Sequence, residues 1–114
     1  MHELSITQSI LDISLKAAKE QHATRIRAIR LKIGAFSGVV SECVQMYLDV
    51  LAKGTPAEGA KIEAETIPLR VQCRDCGATG EIDRRHIACP VCGSVNLHRI
   101  SGREFLVDSL EVDV

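Results

Sequence analysis

Two pairs of cysteines, Cys73-Arg-Asp-Cys76-Gly77 and Cys89-Pro-Val-Cys92-Gly93, constrain this chain more than any other feature. Each pair is a turn that offers two thiolates to one ion, and the twelve residues between the pairs suffice for a short hairpin that brings them together. The glycine after each second cysteine lets the backbone turn tightly and aim peptide NH groups at the sulfurs. A segment of roughly thirty residues cannot bury enough apolar surface to fold alone. Metal binding therefore contributes much of its stability, on the order of 10 kcal/mol in small zinc peptides. Because four thiolates leave no open position for water or substrate, the pattern predicts a structural zinc held by Cys73, Cys76, Cys89 and Cys92. Disulfides, an iron centre and a redox dithiol are the competing readings.

The chain has 114 residues, room for one modest core and a small satellite module. That core must be aliphatic, since there is no Trp, one Tyr (Tyr47) and two Phe (Phe36, Phe105). The same scarcity leaves few rings to stack on nucleic-acid bases, and a net charge of −1 argues against a grip on a phosphate backbone. The N-terminus lacks the basic start and apolar run of a secretory signal, and no stretch approaches a membrane span. The chain is therefore expected in the reducing cytoplasm, where paired cysteines hold metal rather than form disulfides.

Along the chain, Ile6, Ile10, Ile13 and Ala17 recur at helical spacing from Leu4 to about Lys19, with Leu4, Leu11 and Leu15 widening the apolar side. Thr24 to Ile33 reads as a strand whose two halves alternate out of phase, which a bulge near Ala28 would reconcile. A second helix starts near Ser41 as N-cap and carries Val40, Val44, Tyr47, Leu48 and Leu51 on one stripe; Lys53, Gly54 and Pro56 end it. Lys61 to about Val71 is an edge strand that changes phase around Pro68, and Arg103 to Val114 supplies a last strand. The predicted fold is α/β: two helices and a three-stranded mixed sheet, residues 1–69 plus 101–114, with an inserted zinc-ribbon-like module over residues 70–100. Exposed strand edges leave room for a homodimer.

Met1-His2-Glu3 forms a second constellation. A free terminal amine, the His2 imidazole and intervening amide nitrogens can build fused chelate rings, and nitrogen-rich square-planar coordination suits Ni(II). Glu3 would ligate or orient the site. The plain alternative is that His2 is a solvated terminal residue.

Several segments together resemble the hydrogenase-maturation nickel metallochaperones, the HypA/HybF family. They are Met1-His2-Glu3-Leu4-Ser5-Ile6, the Lys53-Gly54-Thr55 turn with Ala57-Glu58-Gly59-Ala60 beyond it, the CxxC pairs, and Ser101-Gly102-Arg103-Glu104 before Ser109-Leu110-Glu111. The likeness spans essentially the whole chain. It implies delivery of nickel to the precursor of nickel-iron hydrogenase without catalysis by the chain itself. His2 would be the key nickel ligand, and the four cysteines the zinc ligands. The implied partners are a nickel-handling GTPase of the HypB type and the hydrogenase large subunit, and some relatives also serve urease.

The remaining candidates read more plainly. Cys43 is a small apolar side chain on a helix, or else a reactive thiol. His22 sits near the end of the first helix, where it interacts favourably with exposed carbonyls rather than ligating metal. His86 and His98 flank the cysteine turns as solvated loop residues, or else lend a ligand during metal transfer. Arg84, Arg85 and His86 make a short basic patch with Glu81 and Asp83 before it and no aromatic interleaving, so a zinc-ribbon nucleic-acid binder or protein-interaction module is the alternative function.

Overall fold

The computed structural model describes residues 3–114. Its elements are α1 (Glu3–Glu20), β1 (Arg25–Gly34), α2 (Ser41–Leu51), β2 (Lys61–Ile67), β3 (Leu69–Cys73), β4 (Thr79–Ile82), β5 (Leu97–Ser101) and β6 (Phe105–Asp113). They build two three-stranded sheets, ordered β2-β1-β6 and β4-β3-β5. The chain divides into two compact units. One comprises residues up to Lys32, Val39–Glu65 and Leu106–Val114, and the other Ile33–Gly38 and Thr66–Phe105.

In the first unit α1 and α2 pack against each other, and the core is aliphatic as expected: Ile10, Ile26, Ile29, Leu31, Val44 and Leu48 are fully buried. The buried line of α1 is rotated from the expected one. Ile6, Thr7, Ile10, Leu11, Ser14 and Ala18 face inward, whereas Ile13 is 55% exposed and Leu4 47%. A helix can take small hydroxyl residues onto its packed face because the hydroxyl can bond the preceding turn. Thr7 does so, donating to the Glu3 carbonyl at 2.5 Å, while the buried Ser14 hydroxyl has no partner among the described residues. His22, at φ 55°, closes the helix in the left-handed conformation. The His22 NH donates to the Lys19 carbonyl and the Ala23 NH to the Ala18 carbonyl, so His22 stands where such a closure usually has glycine.

Helix α2 corrects another expectation. Its N-cap is Val40, with no side-chain cap, and the Ser41 hydroxyl turns instead to the Glu42 carboxylate. The Gln45 amide ties the helix to β2: its nitrogen donates to the Ala60 carbonyl at 3.1 Å and its oxygen accepts from the Ile62 NH at 2.6 Å.

Strand β1 is the centre of its sheet. Ala28 and Ile29 are both buried, so the alternation slips by one residue where the two halves of the pattern meet. The outer face carries ion pairs that set direction: Arg27 with Asp113, Arg30 with Glu111 and Lys32 with Asp108 place β6 antiparallel to β1. Hydrogen bonds from the Ile26 NH to Pro56 and from the Ala35 NH to Ile67 advance together, so β2 runs parallel, which the intervening α2 crossover permits. The sheet is mixed, as the sequence predicts.

The single edge strand expected over Lys61–Val71 is two strands in different sheets. Pro68 has no NH for a ladder, and the pairing changes there from β1 to β4 and β5. Within the second unit, three backbone segments come close together. Gly34 donates to the Glu104 carbonyl and Phe36 to the Gly102 carbonyl, both at 2.7 Å, and a Cβ on Gly34 would lie 2.3 Å from the Gly102 backbone. Gly102 itself has φ 120°, and a Cβ there would meet the Leu69 Cα at 2.8 Å.

Two stability measurements test this account. Gly102→Ala combines a strained φ with a backbone clash and should destabilise the metal-loaded protein by about 1–3 kcal/mol or more in denaturant unfolding; an unchanged midpoint would refute the close approach. Ser14→Ala removes a buried hydroxyl without a partner and should be neutral or stabilising by about 1 kcal/mol. A loss of stability there would mean the hydroxyl has a partner after all.

Candidate metal centre

Each cysteine pair sits in a turn built by the same local bonds. In the first, the Gly77 NH donates to the Cys73 carbonyl at 2.9 Å and the Cys73 NH to the Ala78 carbonyl at 2.8 Å. In the second, the Gly93 NH donates to Cys89 at 2.9 Å and the Cys89 NH to Ser94 at 2.7 Å. Gly77 and Gly93 hold φ 78° and 76°, so the glycines do supply the left-handed turn. Cys73 ends β3, and the β4–β3–β5 sheet carries the first turn at the C-terminal end of its central strand.

These turns bring all four sulfurs within 4.8 Å of one another, with Cys73 and Cys89 buried and Cys76 and Cys92 exposed. The Sγ atoms of Cys73 and Cys92 are 3.6 Å apart, as are those of Cys76 and Cys89. Backbone NH groups point at the sulfurs: Cys76 at Cys73 (3.5 Å), and Val91 and Cys92 at Cys89 (both 3.4 Å). Such donors favour the thiolate. The NH groups of Cys92 and Val91 draw the Cys89 thiol down to about 6, and the Cys76 NH lowers Cys73. At Cys92 the Ser94 NH acts in the same direction, but the adjacent Cys73 sulfur and burial outweigh it and push the thiol up to about 12. Cys76 is likewise raised, the Cys89 sulfur and burial outweighing the Ala78 NH.

One contributor escapes a motif search. Asp75, inside the first turn, accepts hydrogen bonds from the Ser94 hydroxyl and, at 3.2 Å, from the Asn96 amide, and these two donors hold its carboxyl below the usual range. The Ser94 hydroxyl in turn accepts from the Asn96 NH at 3.1 Å. One carboxylate therefore straps the two turns together. The only signal in the sequence is an Asp between the first cysteines and a Ser-Val-Asn after the second pair, too common a set to single out.

The other candidates fall apart spatially. His2, the proposed nickel ligand, lies outside the described residues. Cys43 is half-buried on α2, not fully buried as its apolar reading implies. His98 is exposed on β5 opposite Gln72. His86 is 85% exposed, with its Nδ1 3.6 Å from Asp83. Asp83 caps that turn, accepting from the NH groups of Arg85 and His86, and Arg84 lies over the Phe36 ring at 5.0 Å while donating to the Ala35 carbonyl. Among the described residues, the four cysteines are the one group of three or more His, Cys, Asp or Glu placed to hold a metal ion. Among the described residues no helix is long and apolar enough to cross a membrane.

Comparison with known proteins adds what this geometry alone does not. Residues 1–112 match the family model described as hydrogenase/urease nickel incorporation, metallochaperone, HypA. A hydrogenase maturation factor HypA of Dehalococcoides mccartyi is 42% identical over 113 residues, covering 99% of this chain and 95% of that protein. Its counterpart in Aquifex aeolicus is 37% identical over 114 residues, covering 100% and 99%. The solution structure of the nickel metallochaperone HypA from Helicobacter pylori superposes with a TM-score of 0.67 at 21% identity, covering 99% of this chain and 98% of that one. A second HypA solution structure gives 0.72 at 22%, covering 98% and 96%. The fold is thus shared with HypA structures, and the chain belongs to the HypA family of nickel-incorporation metallochaperones.

Proposed function

We propose that this chain carries Ni(II) at its N-terminus and delivers it, in the cytoplasm, to the precursor of nickel-iron hydrogenase, acting as a carrier and not as an enzyme. The observation that carries this reading is the family match over residues 1–112, which includes the Met1-His2-Glu3 segment. The His2 imidazole, the terminal amine and adjacent amide nitrogens would hold the ion. A site at the very end of the chain can exchange its ligands with a recipient without unfolding a core. The partners in this reading are a nickel-handling GTPase of the HypB type and the hydrogenase large subunit, with urease as the other recipient that the family description names. Residues 1–69 with 101–114 would handle nickel, and 70–100 would hold zinc.

Zinc is the ion proposed for Cys73, Cys76, Cys89 and Cys92. A tetrahedron with sulfurs about 2.3 Å from zinc has edges of about 3.8 Å, and the 3.6 Å separations of two sulfur pairs suit that size. The all-thiolate donor set excludes a water ligand, so the ion would serve as a staple for the turns and not as a Lewis acid toward substrate. Cargo and staple are then chemically distinct: nitrogen ligands that exchange, and sulfur ligands that do not.

Titrating nickel into zinc-loaded, untagged protein tests the first half. His2→Ala should weaken nickel binding by at least about tenfold, a residue added before Met1 should do the same by removing the free amine, and zinc content should stay constant in both. Equal affinity in all three proteins would remove the N-terminal site. Restoration of hydrogenase or urease activity in cells lacking their own homologue identifies the recipient.

The second half is tested at Asp75. X-ray absorption of the zinc form should show four sulfurs at about 2.3 Å. Asp75→Ala should leave that shell intact yet speed zinc loss to a chelator by about tenfold, because an outer-shell strap is lost. If zinc loss is as slow as in the parent protein, the strap has no role in retention.

A further inference from the structure

The second unit, Ile33–Gly38 with Thr66–Phe105, carries its positive charge in an unusual form: six arginines, Arg70, Arg74, Arg84, Arg85, Arg99 and Arg103, and no lysine. Its four carboxylates are all engaged internally. Asp75 accepts from Ser94 and Asn96, Glu81 faces Arg70 at 3.6 Å, Asp83 caps its own turn, and Glu104 accepts from the Gly102 NH at 2.6 Å. Arg84 lies on Phe36. Arg74, Arg85, Arg99 and Arg103 are exposed, and none of their guanidinium groups makes an ion pair or hydrogen bond among the described residues. Of these, Arg99 and Arg103 line one open cleft of about 310 Å³ with Ile100, Ser101 and Glu104, and the Arg99 charge acts on the Glu104 carboxylate there.

That cleft borders β5, the outer strand of its sheet, so one edge of the strand is unpaired within the sheet. The register with β3 slips between Arg99 and Ser101, leaving Ile100 as an extra residue that is 52% exposed. A bulge on an outer strand breaks the flat ladder that promotes indiscriminate strand pairing, and it re-aims side chains. Here it presents an aliphatic side chain in the same cleft as two exposed guanidinium groups. Arginine forks pair with carboxylates in two parallel hydrogen bonds, a geometry that lysine does not offer.

We propose that the β5 edge, with Arg99, Ile100 and Arg103, docks an acidic, extended segment of a protein partner in which carboxylates alternate with an aliphatic residue. The two guanidinium groups take the carboxylates, Ile100 takes the aliphatic side chain, and the Leu97–Arg99 backbone edge contributes main-chain hydrogen bonds. Nucleic acid fits less well. The residues lining the cleft include no ring for base stacking. The inference goes beyond nickel delivery and does not depend on where nickel binds.

The probe is a labelled, end-capped Glu-Val-Glu-Val-Glu-Val peptide, followed by fluorescence anisotropy against the zinc-loaded full chain. Its Lys-Val counterpart and a single-stranded oligothymidylate of similar charge serve as comparisons. The acidic peptide should bind, and binding should weaken by about tenfold or more in Arg99→Ala/Arg103→Ala and on raising salt from about 50 to about 300 mM. Arg25→Ala, which alters an exposed cation of the other unit, should change it less than about twofold. If the double alanine variant loses zinc, Arg99→Lys/Arg103→Lys keeps the charge without the fork and should still weaken binding several-fold. Amide shifts on peptide addition should cluster at Leu97–Ser101. The proposal is overturned by failure of the acidic peptide to bind, by full affinity in the substituted protein, by shifts confined elsewhere, or by tighter binding of the oligonucleotide than of the peptide.

Discussion

Four cysteine sulfurs within 4.8 Å of one another cannot all be thiolates without a cation among them, because like charges at that distance repel strongly in a partly buried site. The chain's own dipoles go part of the way. Backbone NH groups draw the Cys89 thiol down to about 6, but the negative charge favoured there and at Cys73 helps drive Cys92 up to about 12. The turns therefore favour thiolates individually and oppose them collectively. A divalent cation resolves that conflict, and the sheet built from the short strands β3, β4 and β5 depends on the resolution, since few of its side chains are buried: Leu69, Val71 and Cys73 are the buried apolar positions of its strands.

The first unit is stabilised by a different means, and its charges behave differently as a result. Its outer sheet face carries Arg27, Arg30 and Lys32 on β1, each facing a carboxylate of β6 or β2. All these groups are 39% exposed or more, so each pair contributes little stability, about 0–1 kcal/mol. Their effect lies in register. Opposite charges on neighbouring strands oppose a slip that would bring like charges together, and a one-residue slip would also turn Ile29, Leu31 and Ile33 outward. Burial of aliphatic residues supplies the energy, and the charges select the alignment.

What was legible beforehand follows the same division. The metal turns could be read almost atom by atom, because ligand spacing, following glycines and NH-to-sulfur bonds are local and set by a few residues. The mixed sheet and the phase slip at Ala28 and Ile29 were legible from alternation. Less visible was anything that required knowing which neighbour a residue meets. Ile13 looks like core by periodicity, but the helix presents Thr7 and Ser14 to its packed side instead, which no hydrophobic count anticipates. Ser41 looks like a cap, but the chain enters the helix one residue earlier at Val40. Lys61 to Val71 looks like one strand because both halves alternate, and only the pairing partners distinguish them.

Asp75 illustrates the limit most sharply. In the sequence it is one acid between two cysteines, chemically suited to ligate a metal, pair with Arg74 or face solvent. Its actual partners, Ser94 and Asn96, lie about twenty residues away, brought near by closure of the second turn against the first. The closure and the strap each presuppose the other: the carboxylate finds its donors only once the sulfurs converge, and the donors then hold both turns in the convergent state. Such mutual dependence is a tertiary property. It joins two separate turns into one ligand set, the condition under which a closed metal site can retain its ion.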